Sequence, residues 1–303
     1  MISLGLRYFL EVARCGSIAG AAAAQHVAAS AVSRQIAKLE DGLGIALFER
    51  QARGMELSEA GRQLAAYANA AALEAERVTT EIRQRSHVGD VTIRLACTEG
   101  FAHHFLPLCM AEFKHMRPEA RFHLHVERPE EVSRHILEGL AQMALRYTTA
   151  QDDRLKTELL TRAPVYAVMC RKHPLAGRRS VSMRDLVNFP LSLGDQGTTV
   201  RQLFDAACAN AGLHIEPAYV SNHSAAFLPM LPGSQIVALS GYLTLMGQLG
   251  VEGELAAVPF SNPEMRQRSI QVLTLQGRTL PLLAREFLAF MADRLTAAPR
   301  WPE

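Results

Sequence analysis

The chain has 303 residues, a formal net charge of +2, and 49% hydrophobic against 20% charged residues. That length predicts two or three domains, and the apolar content excludes a disordered chain. No run approaches about 18–20 uninterrupted apolar residues, so no membrane span is expected. The first residues lack a basic segment followed by an apolar core, so no signal peptide is read and the cytoplasm is the expected location.

Leu6, Phe9, Leu10 and Ala13 recur at helical spacing and predict a first amphipathic helix, ended at Cys15-Gly16. Ser17 is placed to cap a second, alanine-rich helix from Ile18 to about Gln25. After a turn at His26–Ala29, a third helix is expected from about Ser30 to Asp41, with Val32, Ile36 and Leu39 on its inner face and Gly42 and Gly44 closing it. A short helix, a tight turn and a helix with a polar outer face follow the helix-turn-helix plan. Ser30, Ser33, Arg34 and Lys38 form that outer face, suited to base edges and phosphates in a major groove. Leu47-Phe48 anchors a β-ribbon whose turn carries Arg50, Arg53 and Gly54, a basic wing for the sugar-phosphate backbone. Glu40, Asp41, Glu49 and Glu56 nearly balance these charges, so charge alone leaves a solvated surface as the alternative.

Ser58 caps a long helix in which Leu64, Ala68, Ala71, Ala75, Val78 and Ile82 alternate at spacings of four and three. That seam calls for a partner helix in a second copy, or for packing on its own chain. From Val91 onward strands and helices alternate. Strands are expected at Val91–Cys97, Phe122–Glu127, Gln142–Arg146, Val165–Met169, Tyr219–Ser221, Ile236–Ser240, Ala256–Phe260 and Ser269–Leu275. Helices are expected from Pro107, as first residue, to Met116, and at Glu130–Leu140, Val200–Ala211 and Leu282–Leu295. This rhythm predicts parallel sheets with right-handed crossovers. Its length predicts two subdomains with a ligand cleft between them.

The ordered run Gly16-Ser17-Ile18-Ala19-Gly20-Ala21-Ala22, Ala31-Val32-Ser33-Arg34-Gln35-Ile36, Leu39-Glu40-Asp41-Gly42-Leu43-Gly44, Leu47-Phe48-Glu49-Arg50 and Leu57-Ser58-Glu59-Ala60-Gly61 resembles the DNA-binding domain of LysR-type transcriptional regulators. The remainder resembles the family's effector domain. The resemblance implies an α/β effector domain of two lobes, similar to type 2 periplasmic binding proteins, preceded by a winged helix-turn-helix and a long linker helix. It divides the chain into a winged helix-turn-helix at 1–58, a linker and dimerisation helix at 59–89 and an effector domain at 90–303. Lobe 1 takes 90–162 and 268–303, and lobe 2 takes 163–267. It implies double-stranded promoter DNA as partner, a homodimer through the linker helix, a homotetramer, and RNA polymerase as a further partner. At Ala28 and Ala29 the chain departs from the family, which usually has a capping Ser or Thr and then a polar residue, often Gln.

By the same resemblance an unidentified small-molecule effector, with no further cofactor, meets Thr98, Glu99 and Phe101, then Arg146 and Tyr147, then Thr198 and Thr199, then Asn222 and His223. Thr98 and Thr199 fall near expected helix N-termini, which favour anions. Arg146 either clamps a carboxylate bidentately or forms an interlobe salt bridge with no ligand role. Glu99 opposes an anion unless it pairs with Arg146 or with a cationic ligand group. Peroxide-sensing members carry a reactive cysteine where this chain has Thr199, and the five cysteines form no CxxC pair. They are expected to be buried and reduced.

Two other classes stay open. Six of the eleven histidines lie between His103 and His135, with His123 and His125 on one strand face. They are surface residues, or the ligands of a metal-sensing regulator. A solute-binding module without DNA function is the other. No GxSxG, P-loop or GxGxxG motif marks an enzyme.

Overall fold

The computed structural model describes residues 3–51, 54–85, 91–149, 154–245 and 253–297. The chain divides into two compact units. One comprises residues 1–89 with 137–140 and 277–282, the other the rest.

The first unit opens with α1 (Leu4–Cys15), whose capping residue Ser3 accepts from the Leu6 N–H. Gly16 closes α1 in the left-handed conformation that glycine adopts without strain. Ser17 accepts from the Gly20 N–H at 3.1 Å and starts α2 (Ile18–Gln25). His26, with φ 53°, ends α2. The third helix, α3, runs Ala29–Leu43, longer than expected at both ends, with Gly42 inside and Gly44 as the left-handed cap. Phe9, Val12, Ala21, Val32, Ile36 and Leu47 are buried together, and Phe9 meets the Phe48 ring at 5.3 Å.

The hairpin of β1 (Phe48–Gln51) and β2 (Gly54–Leu57) follows. The Met55 N–H donates to the Gly16 carbonyl at 2.8 Å, which pins the wing to the turn between α1 and α2. The long helix α4 (Glu59–Arg85) begins at Ser58, whose Oγ accepts from the Gly61 N–H and donates to the Ala46 carbonyl. Gly61 lies so close to the Leu47 carbonyl that a Cβ there would stand 2.0 Å from the oxygen. The N-terminal end of the α4 seam is used within the chain: Leu64 packs on the winged core, and Ala68 is fully buried. Val78 is exposed.

The second unit holds two sheets. The first orders its strands as β4 (Ala120–Val126), β3 (Val91–Cys97), β5 (Met143–Thr148), β12 (Ser269–Leu275) and β6 (Leu155–Arg162). The second orders them as β11 (Leu255–Pro259), β7 (Val165–Cys170), β10 (Val237–Gly241), β8 (Leu191–Gly194) and β9 (Tyr219–Ser221). The chain passes from the first sheet to the second between Arg162 and Val165 and returns between Pro259 and Ser269. There the Ala163 N–H donates to the Arg268 carbonyl at 2.9 Å.

The expectation of parallel sheets is corrected. The pairs β3–β4, β3–β5, β8–β9 and β8–β10 are parallel, but β12 is antiparallel to β5 and β6, and β7 is antiparallel to β10 and β11. A strand that arrives from the other lobe needs no helical crossover, so the right-handed βαβ rule does not set its direction. Two strands also go beyond the expected set. In β6 the buried Leu155 and the half-buried Thr157, Leu159 and Thr161 alternate with exposed residues such as Lys156, Glu158 and Arg162, and β8 has only four residues.

Helices α5 (Glu99–Ala102), α6 (Phe105–Met116), α7 (Pro129–Leu137) and α11 (Leu282–Ala297) accompany the first sheet. Pro107 is the third residue of α6 rather than the first, still within the turn whose N–H groups lack helical partners. Phe113 packs against Phe287 and Phe290, and Arg117 pairs with Glu286 at 2.8 Å, which holds α11 on α6. Helices α8 (Met183–Leu186), α9 (Thr199–Ala211) and α10 (Tyr242–Leu245) accompany the second, with a 3₁₀ turn at Ser224–Met230. Its core includes Val165, Ala167, Leu193, Phe204, Val237 and Phe260. Among the described residues, no helix is long and apolar enough to cross a membrane.

Candidate functional site

On α3 the inner positions Val32 and Ile36 are buried, while Ser30, Ser33, Arg34 and Lys38 are exposed on the opposite side. This is the 3.6-residue period at work: 30, 33, 34 and 38 fall on one stripe when 32 and 36 face inward. Ala28 stands at the N-cap in extended conformation and supplies no side-chain hydrogen bond, so the first turn of α3 presents bare N–H groups. Arg50 falls on β1, opposite Met55. Its side chain, and Arg53, lie outside the described residues.

A second candidate lies between the two sheets of the second unit. A cavity of about 310 Å³ is lined by Thr98, Glu99, Tyr147, Thr198, Thr199, Asn222 and His223, all of them expected from the sequence. Thr98 ends β3 and caps the single turn of α5 through its backbone. Its Oγ1 is buried with no hydrogen-bond partner among the described residues. Thr198, rather than Thr199, is the N-cap of α9. Its Oγ1 accepts from the Arg201 N–H and donates to the Asp195 carbonyl. Glu99 is engaged by residues other than Arg146. Its Oε1 meets His103 at 3.1 Å, accepts from the Ala225 N–H at 3.3 Å and stands 3.7 Å from His223. The carboxylate therefore ties α5 of one lobe to the 3₁₀ turn of the other.

Two expected residues are absent from the lining. Phe101 is fully buried and stacks on Tyr147, with centroids 4.4 Å apart, so it supports the wall from behind. Arg146 faces the other side of β5. It donates from Nε to Gln271 at 3.0 Å and from Nη1 to Ser133 at 2.6 Å. Successive strand residues point to opposite faces, so Tyr147 and Arg146 cannot both face the cleft. These two bonds hold Arg146 within its own lobe, away from the cleft: Gln271 is on β12 of its own sheet and Ser133 is on α7.

The buried cationic residue in the wall is Arg268, which no sequence signal selects; the exposed Arg128 also lines the cavity. It follows β11 and a second 3₁₀ turn at Pro263–Arg266, and only its position next to the sheet crossing brings it to the cleft. It is 2% exposed, its Nε donates to the Ala163 carbonyl at 2.8 Å, and its guanidinium carbon lies 4.1 Å from the Tyr147 ring centroid. Burial lowers its pKa, partly offset by Tyr147 and Tyr166. Burial likewise pushes the Tyr147 phenol up, against the pull of Arg268. Ser240, Gly241 and Thr244 complete this end of the wall.

The histidine cluster exists: the His125 ring lies 4.4 Å from His123 and 4.7 Å from His135. Burial, with the two neighbouring imidazoles, lowers the His125 pKa. Among the described residues, however, no group of three or more His, Cys, Asp or Glu is placed to hold a metal ion. Burial raises the thiols of Cys97 and Cys109 to about 12 and also raises Cys208.

Two family patterns match the sequence. The bacterial regulatory helix-turn-helix protein pattern of the lysR family covers residues 5–62, and the LysR substrate binding domain pattern covers residues 89–296. The chain belongs to the LysR family of transcriptional regulators. It is 30% identical over 217 residues to the probable hydrogen peroxide-inducible genes activator of Mycobacterium avium, across 70% of this chain and 68% of that one. Full-length OxyR from Pseudomonas aeruginosa has the same fold at TM-score 0.69 and 18% identity, covering 98% of this chain and 95% of that one. Full-length CbnR complexed with its target DNA matches at TM-score 0.57 and 20% identity, covering 97% and 99%. In this LysR regulator, then, α2 and α3 form the helix-turn-helix, and the two sheets are the lobes of the substrate-binding domain.

Proposed function

We propose that this LysR-type regulator reads double-stranded promoter DNA with Ser30, Ser33, Arg34 and Lys38 of α3. Its wing, with Arg50 and Arg53, meets the adjoining backbone. The observation that carries this reading is the exposed polar stripe of α3 on a core matched to the family's helix-turn-helix. Arg34 suits a guanine edge, and Lys38 a phosphate. A homodimer through the free part of the α4 seam presents two such helices to a palindromic site. Two dimers make the homotetramer, and RNA polymerase is the partner at the promoter. The reading contains no catalytic step.

The cleft is the seat of the effector, a small polar molecule that fits about 310 Å³. Glu99 already links the lobes across it. A ligand shifts the regulator only by binding one lobe arrangement better than another.

Footprinting on the DNA upstream of its own gene, at low and moderate salt, tests the DNA reading. The expected result is a protected dyad that persists as salt rises. Diffuse protection lost at moderate salt marks phosphate-only binding and overturns the assignment of α3 as a base reader.

A further inference from the structure

Arg268 is a buried cation whose contacts are neutral. Its Nε meets the Ala163 carbonyl, its Nη2 reaches the Pro164 carbonyl at 3.4 Å, and its face covers Tyr147. No carboxylate pairs with it among the described residues. A charge withdrawn from water is costly unless it is paired, and a guanidinium stays protonated at any physiological pH. Arg268 nevertheless lines the cleft, so one side of it faces a ligand-sized space. The nearby wall supplies donors of matching kind. Ser240 and Thr244 are nine-tenths buried and line the same cavity, as does Thr98, whose Oγ1 has no partner among the described residues. The N-terminus of the 13-residue α9 reaches it through Thr199 and Val200. Val126, Pro129 and Leu239 add apolar surface to the same wall.

We propose that the cleft selects a small organic carboxylate, with Arg268 as its counter-charge, hydroxyls of the wall as its hydrogen-bond partners, and an apolar body against Val126 and Leu239. This rests on the reading of the cleft as the effector site. The acidic groups at the cleft do not cancel the selection. Glu99 is engaged with His103 and Ala225, and Glu127 is exposed beside Arg128, which reaches toward Asp195 at 3.9 Å. Glu99, whose side chain is 16% exposed, is compensated by these partners and by His223 at 3.7 Å, and water screens the exposed Glu127 from the guanidinium in the dry wall.

The probes are benzoate, succinate and acetate, each beside its neutral amide, with sulfate as an inorganic anion, titrated calorimetrically into the full chain. At least one acid is expected to bind at least tenfold tighter than its amide and tighter than sulfate, and Arg268→Gln to erase that ratio. Because Arg268 also ties down two carbonyls, Gly241→Ala serves as a second variant. Its Cβ would stand 2.2 Å from Nη2 and displace the flexible guanidinium while keeping the residue. The proposal is overturned if amides match acids, if sulfate matches the acids, if the ratio survives both substitutions, or if none of the acids binds. Val126→Trp, at an exposed position of the cleft wall, separates the two levels. Equal binding of acid and amide that Val126→Trp abolishes sinks the carboxylate proposal and leaves the cleft reading standing. Binding indifferent to Val126→Trp sinks the cleft reading itself.

Discussion

Single residues carry the chemistry of this regulator, and two arginines show how position decides role. Arg34 projects from α3 and is exposed, so Arg34→Ala is expected to keep the fold and lose about 1–3 kcal/mol of site-specific DNA binding. Band shifts on specific and scrambled sites check this; unchanged preference for the specific site removes Arg34 from the base-reading set. Arg146, by contrast, is buried and bonded to Gln271 and Ser133. Arg146→Ala leaves those partners unsatisfied and is expected to cost about 1–3 kcal/mol of stability without changing acid-over-amide preference. Denaturant unfolding and the ligand titration together test it. Two histidines set a pH dependence. Burial lowers His173 against the Gln235 carbonyl, and burial with His123 and His135 lowers His125. Below the unfolded value of about 6.5 the unfolded chain binds more protons than the native one. Stability is therefore expected to be complete above that pH and to fall as pH drops through it, as urea unfolding at about pH 5 and about pH 7.5 would show.

At the scale of elements, the weak point is the start of α3. Ala28 has the backbone of a capping residue and none of the chemistry. Ala28→Ser is expected to add about 1 kcal/mol through a bond to a bare N–H of the first turn, read as a higher melting temperature. No change would mean that those groups are already satisfied by water. The junction of wing and linker is its opposite, closed with no room to spare. Gly61→Ala would drive a Cβ into the Leu47 carbonyl, against backbone that cannot swing away. A loss of about 1–3 kcal/mol is expected from such overpacking.

For the whole molecule, the linker seam divides into two parts. Leu64 and Ala68 are spent on the chain's own core, while Val78 is exposed further along α4. A charge at the exposed part opposes pairing of two copies but leaves the folded winged unit intact. Val78→Glu is expected to shift sedimentation toward monomer and to weaken binding at a palindromic site. A variant that sediments like the wild type would overturn the proposed pairing through α4.

Most of the winged unit was legible in the sequence because its determinants are local. Ser17 caps the residue three positions on, Gly16 and Gly44 close helices by their own backbone freedom, and the α3 stripe follows from one period. Seven cleft residues were legible through resemblance, since loops at strand ends keep their places when the sheet does. The direction of β12, the turning away of Arg146 and the arrival of Arg268 were not. Each depends on which strand lies beside which, and strand neighbours such as Gln271 and Arg146 are 125 residues apart. By itself the sequence determined most of the elements, the two faces of α3 and the family. Only the tertiary structure decided which buried arginine lines the cleft, because alternation fixes that two neighbouring residues face apart but not which face becomes the cleft.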